Sequence, residues 1–111
     1  MPHDDVLAAR VRDLIGGDPD ITEKRMFGGL AFLAGGHMAV AASGEGGLMV
    51  RVDPEETDAL VAAPGVERME MRGRRLDGWL RVDEHVLAGE AELRPWVERG
   101  VRFARALPPK E

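Results

Sequence analysis

The stretch Arg25-Met26-Phe27-Gly28-Gly29-Leu30-Ala31-Phe32-Leu33, RMFGGLAFL, decides how the fold is read. Its apolar residues fall on both parities of a strand: Met26, Leu30 and Phe32 on one, Phe27, Ala31 and Leu33 on the other. Such a strand suits a sheet that is buried on both faces over part of its length. Two adjacent glycines inside it forfeit packing and cost backbone entropy, so they need a reason. They cradle a phosphate, they make a turn, or they let another element lie close to the backbone. The first is the poorest fit. The chain has no Gly-x-x-x-x-Gly-Lys-Ser/Thr and no Gly-x-Gly-x-x-Gly between a strand and a helix. Gly28 and Gly29 are therefore expected to bend the strand or to admit a helix packed against it, and to bind no ligand.

Working outward, the first strand runs from about Glu23 to Leu33. Gly35-Gly36 is a two-residue hairpin signal leading into a second strand, His37–Ser43. Ser43-Gly44-Glu45-Gly46-Gly47 is a longer turn into a third, Gly47–Val52. Asp53-Pro54-Glu55-Glu56 starts a helix, with Asp53 as cap, Pro54 at the first position and Glu56 completing an Asp-x-x-Glu box. Two more strands, Val66–Met71 and Leu76–Val82, flank the basic turn Arg72-Gly73-Arg74-Arg75. At the N-terminus Val6, Leu7, Val11, Leu14 and Ile15 read as one helical stripe that ends at Gly16-Gly17. Near the C-terminus Leu93, Trp96, Val97, Gly100, Val101, Ala104 and Leu107 form another, over about Glu90–Leu107. The pattern predicts an α+β domain of two layers: a curved antiparallel sheet of about five strands with N-terminal, middle and C-terminal helices packed on it.

The 111 residues are expected to form a single domain over 1–111. Net charge is −5, and it is uneven: residues 1–65 carry a net −6 and residues 66–111 a net +1. An autonomous duplex-binding domain shows a basic face of its own, so no autonomous nucleic-acid binding is expected. The absence of cysteine excludes disulfides, thiolate nucleophiles and Cys-ligated zinc, and fits a reducing compartment. The N-terminus has no signal-peptide pattern and no apolar run approaches the ~20 residues of a membrane helix. A cytoplasmic protein without membrane contact is expected.

Candidate chemistry is sparse. His3, His37 and His85 have no second histidine or carboxylate at a metal-ligand spacing. Glu45 at a hairpin tip has neither a pocket nor a cause for a raised pKa, both of which a general base requires. Ser43 is the chain's single serine, and its surroundings, Ala42-Ser43-Gly44, are no nucleophile elbow. No catalytic residue, cofactor site or metal site is assigned. The best polar cluster is Arg68, Arg72, Arg74, Arg75 and Arg81, a candidate contact for an anion or an acidic partner surface. Its bland alternative is a solvated hairpin whose arginines pair with Glu67, Glu70 and Asp77. Trp96 reads as core. Trp79 alternates with polar neighbours and is either a partner contact or packed under a helix or loop.

The joint pattern resembles a known family. Met26-Phe27-Gly28-Gly29, Gly36-His37-Met38-Ala39-Val40, Leu48-Met49-Val50-Arg51-Val52-Asp53 and Trp96-Val97 together resemble the TfoX/Sxy N-terminal domain family over roughly residues 10–107. The resemblance implies a curved antiparallel sheet with helices packed on it, similar to secretion-chaperone folds. It implies no catalytic residues and no cofactor. Family members include bacterial regulators of natural competence that act with the cyclic-AMP receptor protein at promoters, where this domain is joined to a C-terminal helical domain. The sequence ends at Glu111, so the expectation is a stand-alone N-terminal-type domain. Gly78-Trp79-Leu80-Arg81-Val82 departs from the tyrosine-rich strand often found there.

The leading expectation is a non-enzymatic regulatory or protein-interaction domain, linked to transcription or competence regulation, with a protein partner or with self-association as a homodimer. Arg68, Arg72, Arg74, Arg75, Trp79 and Arg81 are its candidate contacts, and Gly28, Gly29, Gly35 and Gly36 its structural glycines. The alternatives are a small-ligand or anion-binding module built on the Arg72–Arg75 turn and, below it, a small enzyme.

Overall fold

A computed structural model describes residues 5–26, 28–43 and 46–108. Helix α1 (Asp5–Ile15) is followed by four consecutive strands, β1 (Ile21–Met26), β2 (Gly29–Ala34), β3 (His37–Ala42) and β4 (Leu48–Arg51). A one-turn 3-10 helix (Pro54–Glu56) runs into the short α2 (Thr57–Leu60). Strands β5 (Val66–Met71) and β6 (Arg74–Val82) form a hairpin, and α3 (Glu90–Ala106) closes the chain. All strand pairs are antiparallel, in one six-stranded sheet of order β1-β2-β3-β4-β6-β5.

The fold class is the α+β sheet-and-helix architecture that the pattern implies, with one more strand. The run expected as a single strand over 23–33 is two strands joined by a tight turn, with Met26 opposite Gly29. Gly28 takes φ +71°, the left-handed region that a turn needs. Gly29 has a different reason. A Cβ there would run into the carbonyl of Ala42 on the neighbouring strand, so Gly29 permits a close strand–strand approach rather than the helix contact expected. Helix contact of that kind occurs elsewhere, at Gly100, where a Cβ would strike the carbonyl of Ala39. Phe27 lies outside the described residues, as does Glu45.

The core forms where α1 and α3 cover one face of the sheet. Phe32, Ala34, Val40, Ala42, Leu48, Val50, Leu80 and Val82 are buried from the strands, against Leu7, Val11 and Ile15 of α1 and Leu93, Val97, Val101 and Ala104 of α3. Val6, read as part of the α1 stripe, is 72% exposed. It sits roughly 140° around the helix from the centre of the buried row, and Ala8 takes its place. Surface clasps hold the helices to the sheet. Arg12 of α1 donates two hydrogen bonds to Glu23 of β1, at 2.7 and 2.8 Å. Arg105 of α3 reaches Asp18 and Asp20 at 2.8–2.9 Å. His37 Nε2 donates to the carbonyl of Pro108 at 2.6 Å.

The β6 strand carries the one large irregularity. The register passes from Arg68 opposite Leu80 directly to Met69 opposite Leu76, so Asp77-Gly78-Trp79 bulges out of the β5–β6 ladder. Gly78 has φ +85° and its N–H donates to the buried Thr57 hydroxyl at 2.8 Å. A Cβ at Gly78 would sit 3.1 Å from both Pro54 and the Val52 carbonyl. Bulges of this kind re-aim side chains, and this one sets Trp79 and Asp77 on opposite sides of the sheet.

Candidate functional site

The sheet has a second face with a different composition. Ala31, Met38, Ala41 and Met49 are buried together, with Met26, Leu33, Met69 and Trp79 half-buried around them, and among the described residues no helical side chain joins this group. An antiparallel sheet with helices on one side ordinarily alternates apolar-in and polar-out. Here each strand from β1 to β5 places at least one apolar side chain on the outward side, among charged ones. Every described methionine side chain lies on this face and none on the helix side. Methionine is flexible and polarizable, and it adapts to surfaces of varied shape.

Cations frame the apolar band. By register Lys24 lies opposite Ala31, Arg81 opposite Met49, Arg51 opposite Trp79 and Arg74 opposite Met71, all on this side. Glu67 lies opposite Arg81, and Asp83 lines one pocket with Arg81. The Arg51 guanidinium lies 4.9 Å from the centroid of the Trp79 ring and 5.6 Å from that of Phe103 in α3, within cation–π range of both. No carboxylate among the described residues is within ion-pairing distance of Arg51. Among the described residues its in-plane N–H groups have no charged acceptor.

The six expected contact residues are divided by the fold. Trp79, Arg81 and Arg74 belong to the methionine face. Arg68 turns to the helix side, where it is held by Asp58 of α2 and, at 2.8 Å, by Asp77. These two hydrogen-bonded carboxylates, Asp77 foremost, raise the Arg68 pKa above its usual value. Arg75 faces Glu70 across the hairpin, and Arg81 donates to the Gly46 carbonyl at 3.2 Å. Arg72 is exposed at the tip with φ +55°, followed by Gly73 at φ +78°. The expected arginine cluster is thus interleaved with Asp58, Glu67, Glu70 and Asp77. A groove of about 440 Å³ beside the hairpin contains Arg68, Arg75 and Arg81 but also Glu67 and Glu70. Of the structural glycines, Gly35 (φ +59°) and Gly36 (φ +85°) form the β2–β3 turn.

Other ionisable groups are engaged locally. Asp83 is held below the usual carboxylate range by the His85 backbone N–H and then by its ring, and Asp83 in turn raises the His85 pKa. Arg105 hydrogen bonds lower Asp20, and Arg12 hydrogen bonds lower Glu23. Among the described residues no group of three or more histidines and carboxylates is placed to hold a metal ion. No described helix is long and apolar enough to cross a membrane.

Arg51, Met26, Met38 and Met49 escaped the sequence reading as contact residues. Their signal was present: Met49 and Arg51 alternate in β4, and Met38 opens β3. It could not be used without knowing that both helices take the same side of the sheet.

These features define a small α+β domain with one helix-covered sheet face and one apolar, cation-rimmed face. The model of the TfoX N-terminal domain matches residues 13–104, and the chain belongs to that family. No curated protein and no solved structure matches it significantly.

Proposed function

We propose that this chain is a non-enzymatic protein-interaction domain of the TfoX N-terminal type, acting in regulation in the cytoplasm through the helix-free face of its sheet. The observation that carries this reading is the gathering of Met26, Met38, Met49 and Met69 with Trp79 on that one face. Methionine and tryptophan are enriched where proteins meet, and a half-buried aromatic beside adaptable side chains is the composition of a contact centre. The arginine hairpin supports the anion-binding alternative less well, because Arg68 is occupied by Asp58 and Asp77, Arg75 faces Glu70 and Arg81 faces Glu67. Among the described residues the one histidine–carboxylate pair, Asp83 with His85, is exposed, which gives an enzyme reading little to stand on. The test is affinity capture from bacterial extract with the wild-type domain, Trp79→Ala and Met69→Glu, each checked for native circular dichroism. One stoichiometric partner retained by wild type and lost from both variants supports the reading. Equal capture by all three contradicts it.

A further inference from the structure

Resting on that reading, we infer that the helix-free face receives an acidic amphipathic helix from a different protein, and that Arg51 is its carboxylate receptor. Three observations give the occupant its chemistry. Among the described residues the face carries Lys24, Arg51, Arg74 and Arg81, with Glu67 opposite Arg81 and Asp83 lining one pocket with it, in a chain whose net charge is −5. The helix-free face is therefore basic while the molecule is acidic, and it attracts an acidic surface. The second observation is Arg51 itself. Trp79 and Phe103 lie within cation–π range of its guanidinium, and no described carboxylate pairs with it. A guanidinium positioned by aromatic rings presents a planar fork suited to bidentate binding of a carboxylate.

The third observation is the shape of the apolar band. It runs from Met26 on β1 to Met69 on β5, across a sheet of six strands. Five strand spacings give about 24 Å, the length of a helix of about 16 residues. On the opposite side α3, with 17 residues, packs on three of the strands, β2, β3 and β4. A helix rather than a strand is the fitting cover. Both edge strands carry charges that discourage strand addition: Glu23, Lys24 and Arg25 on β1, and Glu67, Arg68 and Glu70 on β5. A second copy of this chain is disfavoured by the same census. Two such faces stacked about a two-fold axis would oppose like charges.

The probes are two fluorescein-labelled 16-residue helical peptides with the same leucine stripe, one flanked by glutamates and one by lysines, plus a 16-base-pair DNA duplex. Anisotropy titrations use the whole domain. The expected result is saturable binding of the glutamate peptide, at least tenfold weaker binding of the lysine peptide, and weakening of the glutamate complex by added salt. Arg51→Gln lowers affinity for the glutamate peptide about tenfold and leaves a neutral glutamine peptide unchanged. The charge swap in the peptide decides the matter if Arg51→Gln fails to fold. Failure of the glutamate peptide to bind, equal binding of both peptides, tighter binding of the duplex, or a dimer in light scattering that Trp79→Ala dissolves would each overturn the inference. If the captured partner depends on Trp79 but not on salt or Arg51, the interaction reading stands and the acidic occupant falls.

Discussion

On the helix side of the sheet, Phe32, Val40, Val50 and Leu80 lie beneath α1 and α3; on the other side, no described helical side chain joins Met38, Met49 and their neighbours. The same strands supply both sets, in alternation. The helix side uses branched and aromatic side chains with few rotamers, as a close-packed core does. The other side uses alanine and methionine, which leave the surface conformable. Met38 and Met49 are only 5% and 3% exposed, so this face is no bare apolar patch. It is a closed floor with half-buried Met26, Leu33, Met69 and Trp79 at its rim. A rigid face holds the fold together, and the adaptable face is the one we propose as the contact surface.

The largest expected effect tests whether the two faces differ in stability. Phe32→Ala is expected to cost about 3–5 kcal/mol, because a fully buried aromatic leaves a cavity between sheet and helices. Trp79→Ala, on the half-buried rim, is expected to cost about 1–2 kcal/mol despite the larger side chain. Urea denaturation of both variants measures the gap. Equal losses would make the methionine face a second core and break the comparison.

The next effect tests how Trp79 comes to its face. Thr57→Val removes the buried hydroxyl that accepts the Gly78 N–H, leaving that donor without its partner. A loss of about 1–3 kcal/mol is expected. The tryptophan environment should change with it, since the bulge that orients Trp79 is no longer tied to α2. Near-ultraviolet circular dichroism reports this, and an unchanged Trp79 signal would show that the bulge stands without Thr57.

Acid should loosen the helix side more than the methionine face. Arg105 hydrogen bonds hold Asp20 below the usual carboxylate range, and Arg12 does the same for Glu23. Groups whose folded pKa is lowered contribute stability above their unfolded pKa of about 4, and lose it as pH falls through the folded value. Melting temperature should therefore drop as pH falls below about 4. Arg105→Gln should lower it at pH 7 and converge on wild type in acid. Both clasps are exposed and will be weakened by salt. Parallel curves for wild type and variant would remove Arg105 from the account.

The smallest effect concerns the hairpin tip. Arg72 holds φ +55°, a conformation that costs a side chain roughly 1 kcal/mol. Arg72→Gly should raise stability by a few tenths of a kcal/mol to about 1 kcal/mol. If it weakens partner capture at the same time, the tip belongs to the contact surface. If capture is unchanged, the surface stops at the methionine band.

Much of this architecture was legible in the residues. Asp53 does cap the 3-10 turn through Glu55 N–H, and the α3 stripe Leu93, Trp96, Val97, Gly100, Val101 and Ala104 is buried. RMFGGLAFL reads as one strand with Met26, Leu30 and Phe32 on one face, yet its glycines hide a turn that puts Met26 with Ala31 and Leu33 and leaves Leu30 and Phe32 on the helix side. Gly28 at φ +71° reverses a chain whose flanking residues look like continuous strand, and so splits it into the largely exposed edge strand β1 and the buried strand β2. The Asp77-Gly78-Trp79 bulge was illegible for a related reason. Simple alternation placed Asp77, Trp79 and Arg81 together, whereas three extra residues on β6 send Asp77 to Arg68 and Trp79 to the methionines. Arg51 could not be singled out at all, because its neighbours Trp79 and Phe103 come from distant parts of the chain.

The central claim, that the helix-free face is the contact surface, has built-in probes. The ε-methyl groups of Met26, Met38, Met49 and Met69 lie on that face, and the helix side has no described methionine. A ¹³C-methyl-methionine NMR titration with the glutamate-flanked helical peptide reads the face directly. The account predicts saturable shifts of these four methyl signals, with backbone amides of α1 and α3 unmoved. Four unmoved methyl signals beside shifting α1 or α3 amides would contradict it.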